Sequence, residues 1–148
     1  LSRPAEDDMP NLADVRGDLP LPARGQMVKA YGGGADPLYD SGILIATSRG
    51  AQVIATHDGR VSYAGSFRGY GQLLIITHGG GYHTLLSGMG RLFAEPGQWV
   101  LAGEPVGRMP DSASQDDPAR SRLYMELRRG DEPVDPVPWL SATVGDVS

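Results

Sequence analysis

The only imidazoles in the chain belong to His57, His78 and His83. His57 lies in the turn-like stretch Thr56-His57-Asp58-Gly59. His78 and His83 flank Gly79-Gly80-Gly81, a hairpin-type turn across which they could face one another. Two facing imidazoles and a carboxylate make a conceivable zinc site. No third ligand lies at suitable spacing beside them, and a histidine near a polar turn ordinarily does no more than hydrogen-bond. No G-x-S-x-G elbow presents a nucleophilic serine. Glu104, Asp111, Asp116 and Asp117 fall in loop-like stretches, where acids are ordinarily solvated. Gly32-Gly33-Gly34 is followed by neither a helix pattern nor a phosphate-binding Lys. The chain has no Cys, which excludes disulfides, thiolate metal sites and thiol nucleophiles. Residue chemistry alone therefore shows no catalytic set.

Composition narrows the classes further. The 148 residues make about one domain. Lys+Arg is 13 against Asp+Glu 18, a net charge of −5, which argues against a duplex nucleic-acid binder. Lys29 is the single lysine, so nearly every cation is an Arg suited to bidentate carboxylate pairing. No apolar run reaches the roughly 18 residues that suggest a membrane span. The opening LSRPAEDDMP carries no apolar leader, and a start at Leu1 points to a processed or excised form.

The 21 Gly and 12 Pro predict frequent turns and few long helices. Residues 1–25, with Pro4, Pro10, Pro20 and Pro22 among scattered acids, read as a linker or arm. Its Leu19-Pro20-Leu21-Pro22 could pack as an extended strap. Residues 26–140 read as a β domain and 141–148 as a tail. Strands are expected near Gln26–Tyr31, Ile43–Ala46, Gln52–Ala55, Arg60–Ala64, Leu73–Thr77, Tyr82–Leu86, Trp99–Val100, Val106–Arg108 and Leu123–Arg128. Val61 and Tyr63 alternate with polar residues, giving one wet face. Leu73-Leu74-Ile75-Ile76 is apolar on both faces and predicts a central, doubly covered strand. Residues 31–40 and 110–121 read as loops.

From Gly25 to Leu140 the chain resembles the LytM (lysostaphin-type) metallopeptidase domain. Four stretches carry the resemblance in order. They are Gly42–Ala46 with Gly50–Ala55 and Asp58–Val61; Gly69-Tyr70-Gly71 through His78–Tyr82; Gly97–Val100 with Ala102-Gly103 and Val106-Gly107; and LYMELRRG with PVDPVPWL. The resemblance implies an all-β fold, an antiparallel sheet or sandwich of the duplicated hybrid type with few short helical turns. Active members hold zinc through a His, an Asp four residues later and the second His of a late His-x-His. Those positions read Asp40, Leu44 and Tyr124 here, and two further catalytic histidines read Arg122 and Gly88. Leu and Gly side chains offer no zinc ligand, so the resemblance implies a non-catalytic domain with no metal and no cofactor.

The chain is most similar to the degenerate branch of the family, the murein hydrolase activators. That branch implies a periplasmic location at the division septum. It also implies a partner, a zinc N-acetylmuramoyl-L-alanine amidase, bound in the vacated groove so that its autoinhibition is relieved and septal peptidoglycan is split. Coupling to a divisome ABC-type complex would run through an upstream coiled coil, and direct contact with peptidoglycan is a further expectation. The groove residues carried over are Ser41, Leu44, Tyr70, Leu73, Tyr124 and Arg128. Tyr124 and Arg128, four apart, share a strand face, while Glu126 is read on the opposite face. Two other readings remain. One is a peptidoglycan-binding scaffold. The other is a zinc endopeptidase built from His57, His78 and His83.

Overall fold

Brief β-branched and aliphatic runs punctuated by Gly and Asp satisfy their backbone groups best by pairing with neighbours. In the computed structural model, which describes residues 11–32, 40–68, 71–111 and 122–141, these runs form eleven strands. They are β1 (Gly25–Lys29), β2 (Ile43–Thr47), β3 (Gln52–Ile54), β4 (Gly59–Phe67), β5 (Gly71–Thr77), β6 (Tyr82–Met89), β7 (Arg91–Leu92), β8 (Trp99–Val100), β9 (Pro105–Arg108), β10 (Arg122–Arg129) and β11 (Glu132–Val134). One sheet runs β1-β2-β10-β6-β5-β4-β8, with β11 added to β10, and a smaller sheet runs β3-β9-β7. Every strand pair is antiparallel. Among the described residues, helical structure is limited to the 3-10 turns Leu12–Val15 and Val137–Trp139. The expected all-β antiparallel class is what the chain adopts.

The main core lies between the sheets. Ile43, Ile45, Leu74, Ile76, Leu86, Leu123, Met125 and Leu127 from the inner face of the large sheet meet Val53 and Val106 from the small one. A second, smaller cluster covers the outer face, joining Leu73, Leu85 and Tyr124 to the partly buried Leu44, Tyr63 and Ile75. β5 therefore supplies apolar side chains to both faces, as its unbroken aliphatic run requires.

Residues 11–24 differ from a loosely attached arm. Leu12 and Leu19 are 0% and 2% exposed and belong to the main core, as does Ala23. Asn11 bridges to Gly79 and Leu19 to Leu140, and the Trp139 indole N–H donates to the Leu12 carbonyl at 3.2 Å. Its leucines fill gaps that the sheets leave open, Leu12 from the 3-10 turn Leu12–Val15 and Leu19 from the bridge to Leu140. β7 and β11 were not expected. β7 has only two residues, and Pro133 in β11 limits that strand to pairing with β10 along one edge.

Candidate functional site

β10 sits near the middle of the large sheet, between β2 and β6. Cross-strand partners share a side, so pairing writes rows across the outer face. One row runs Leu44, Tyr124, Ser87, Leu73 from β2 through β10 and β6 to β5. The next runs Glu126, Leu85, Ile75, Tyr63. A third runs Arg128, His83, Thr77. The first two rows make an apolar floor. Beside it opens a cleft of about 370 Å³, walled by Tyr63, Phe67, Leu73, Ile75, Leu85 and Arg128 among others. Phe67 stands half exposed at the rim, edge-on to Tyr63.

Of the groove residues expected from sequence, Leu44, Leu73 and Tyr124 lie together in this floor. Arg128 borders the cleft. Ser41 and Asp40 lie half buried in the turn entering β2, where the Asp40 carbonyl accepts from the Gly32 amide at 2.9 Å. Tyr70 lies outside the described residues. Arg122 is exposed at the start of β10. Gly88 has φ +105°, and a Cβ there would stand 2.6 Å from the Arg122 carbonyl oxygen.

The reading of Glu126 on the opposite face is corrected. Tyr124, Glu126 and Arg128 alternate with the core residues Leu123, Met125 and Leu127, so all three point into the groove. Glu126 is 1% exposed. Its Oε1 accepts from the Tyr124 hydroxyl at 2.5 Å and its Oε2 from Arg128 Nε at 2.5 Å. No bend of the strand is needed. Strict application of the two-residue period to LYMELRR would have found this carboxylate.

The histidines do not assemble as a hairpin pair. Thr77 is paired with His83, so His83 looks into the groove and bonds Thr77 Oγ1 through Nδ1 at 3.1 Å. His78 is buried on the other side, with Nδ1 2.7 Å from the Asp58 carbonyl and Nε2 2.7 Å from Thr84 Oγ1. His57 packs 5.8 Å from His78, ring to ring. Among the described residues, no three of His, Asp and Glu come together as metal ligands.

The resemblance to the LytM domain leads one to expect zinc ligands at Asp40, Leu44 and Tyr124. The donor set does not fit. Leu44 and Tyr124 are direct cross-strand partners within an apolar cluster, and the Tyr124 hydroxyl is committed to Glu126. An aliphatic side chain and a phenol that donates to a carboxylate are not the N, S or carboxylate ligands that zinc takes.

The architecture and this groove define a lysostaphin-type β domain with an apolar groove floor. The chain belongs to peptidase family M23, whose sequence profile matches residues 39–136. The murein hydrolase activator EnvC of Escherichia coli K12 is 35% identical over 130 residues, covering 87% of this chain and 30% of that relative. The murein hydrolase activator NlpD of the same organism is 34% identical over 120 residues, covering 80% of this chain and 30% of that relative. The chain thus spans about a third of the length of these relatives. The structure superposes on the antimicrobial peptidase lysostaphin from Staphylococcus simulans with TM-score 0.66 and 16% identity, covering 97% of this chain and 57% of lysostaphin, a likeness of fold.

Proposed function

We propose that this domain is a non-catalytic activator of a zinc N-acetylmuramoyl-L-alanine amidase. It works in the periplasm, docking the amidase in the vacated groove, relieving its autoinhibition and promoting the splitting of septal peptidoglycan. The observation that carries the reading is the open apolar floor of Leu44, Leu73, Ile75, Leu85 and Tyr124, which we take to be the vacated metal site. An open apolar groove with an Arg at its border suits the apolar stripe of an amphipathic helix whose flanking acids meet the cation. EnvC and NlpD, both murein hydrolase activators, support the same role. We place coupling to a divisome ABC-type complex in an upstream coiled coil outside these residues.

The test is dye release from labelled peptidoglycan by the chain alone, by a cognate periplasmic amidase, and by both together. The expected result is no release by the chain, and strong release with the amidase. Leu44→Lys and Ile75→Lys place a charge on the half-buried floor, where lysine can still reach solvent. Each is expected to lower activation roughly tenfold, the scale of losing one interface anchor. Release by the chain alone, abolished by a chelator, would overturn the reading. Sedimentation with sacculi but no effect on any amidase would favour the scaffold instead.

A further inference from the structure

Glu126 is the one acidic side chain buried in the described part of the groove floor. Its cross-strand partner is Leu85, with Ile75 and Tyr63 beyond in the same row. Stability does not call for a carboxylate there. Desolvating a carboxylate is costly, and apolar residues of similar volume in place of a buried ion pair are often neutral or stabilising. An apolar residue at 126 would simply extend the floor. It would not hold the Tyr124 hydroxyl and the Arg128 guanidinium at fixed points, as the two carboxylate oxygens do. Arg128 is 37% exposed, and the carboxylate gives the Nε of its long side chain a fixed point.

We propose that Glu126 is a positioning residue for partner recognition. It fixes Arg128 as the cationic wall of the cleft and locks Tyr124 into the floor, so the groove meets its partner already ordered. Ordering before contact improves affinity because less side-chain entropy is lost on binding. The proposal rests on the activator reading and sharpens the chemistry of the docked segment. That segment brings one apolar side chain to the cleft and a carboxylate placed for a guanidinium that does not wander. Tyr63, His83 and Asp131 are the other titratable groups lining this cleft, and Glu126 is the bonded partner of Arg128 Nε.

The test uses Glu126→Gln, which keeps an acceptor for Tyr124 and removes the charge, and Glu126→Met, which removes both. The Arg128 Nε–H signal in a nitrogen–proton NMR spectrum reads the clamp without any amidase. It is expected to be distinct and slowly exchanging in the parent chain, and to move to the position of a solvated arginine in both variants. Amidase activation is expected to fall roughly tenfold in Glu126→Gln while its melting temperature stays close to that of the parent. In an Arg128→Met background the same substitution should cost no further activation, because the residue it acts through is gone. Parent-level activation by both variants would overturn the proposal. So would an undiminished loss in the Arg128→Met background, which marks a merely structural role. Should Glu126→Met fail to fold, Glu126→Gln decides alone. A chain that shows the clamp signal but activates no amidase would sink the activator reading and leave the geometry standing.

Discussion

His78 is kept neutral by burial. A carbonyl oxygen only accepts, so the contact with Asp58 O assigns the proton to Nδ1, and Nε2 then accepts from the Thr84 hydroxyl. Burial is the main influence and lowers the pKa to about 4, against a smaller opposing effect of the Asp58 carbonyl. In the unfolded chain the imidazole titrates near 6.5. Between those values the unfolded state binds a proton that the folded state refuses. The resulting stability is complete above about pH 6.5, declines as pH falls toward 4 and levels off below it, a loss on the order of 3 kcal/mol. Urea unfolding at a series of pH values is expected to show this slope, and His78→Gln to flatten it; equal slopes would refute the assignment. The groove carries a different residue-level debt. Arg128→Ala strands the Glu126 carboxylate, and partial exposure of Arg128 moderates the cost to about 1–2 kcal/mol. Urea unfolding at neutral pH should show that loss, whereas a Glu126→Gln, Arg128→Ala double variant recovers part of it.

Two glycines set how β2, β6 and β10 approach at the groove. A Cβ on Gly42 would lie 2.2 Å from the Met125 carbonyl oxygen and 2.8 Å from the Tyr124 ring. Gly88 combines φ +105° with a Cβ position 2.6 Å from the Arg122 carbonyl oxygen. Backbone cannot yield as a side-chain tip can, so Gly42→Ala and Gly88→Ala are each expected to cost at least about 2 kcal/mol, read by thermal or urea unfolding. A histidine placed at 88 would have to distort β6 against β10, so the Gly88→His chain should melt lower than the parent. Strands are also the scale at which the sequence was most legible. The aliphatic run Leu73–Ile76 announced a strand covered on both sides, whereas the alternation of Val61 and Tyr63 located β4 but misassigned its faces: a register shift between them sends Val61 to the inner core and Tyr63 to the outer cluster, so neither face is simply wet. Leu44, Leu73 and Tyr124 do share one floor. Glu126 was missed although the period-two pattern contains it, because a lone carboxylate among apolar neighbours reads as a solvated residue until its partners are placed. β7 was illegible for a physical reason: two residues carry no period, and only the pairing of Arg91 with Arg108 and Leu92 with Gly107 makes them a strand.

At the scale of the molecule, the two ends of the described chain clasp each other away from the groove. The amides of Gly17 and Leu19 both donate to the Trp139 carbonyl, at 3.0 and 2.9 Å, and the Ser141 amide donates to the Leu19 carbonyl at 2.8 Å. Arg16 lies over the Trp139 ring at 4.8 Å. Leu12 and Leu19 are buried with the inner-face residues of the large sheet, whereas Leu73, Leu85 and Tyr124 form the separate outer cluster. The strap and the groove thus use opposite sides of one sheet. Proline spacing made residues 1–25 look like a linker, and nothing periodic in them betrays that Leu12 and Leu19 each fill the core. A chain shortened to begin at Gly25 should lose several kcal/mol, since each of these leucines alone is worth about 2–5 kcal/mol in a well-packed interior. Below its lowered melting temperature that shortened chain should still activate the amidase, because no residue of the groove floor belongs to the strap. Measuring both quantities on one preparation separates the roles. Lost stability with retained activation is the expected pair, while activation lost in a fully folded shortened chain would assign the strap a direct part in docking.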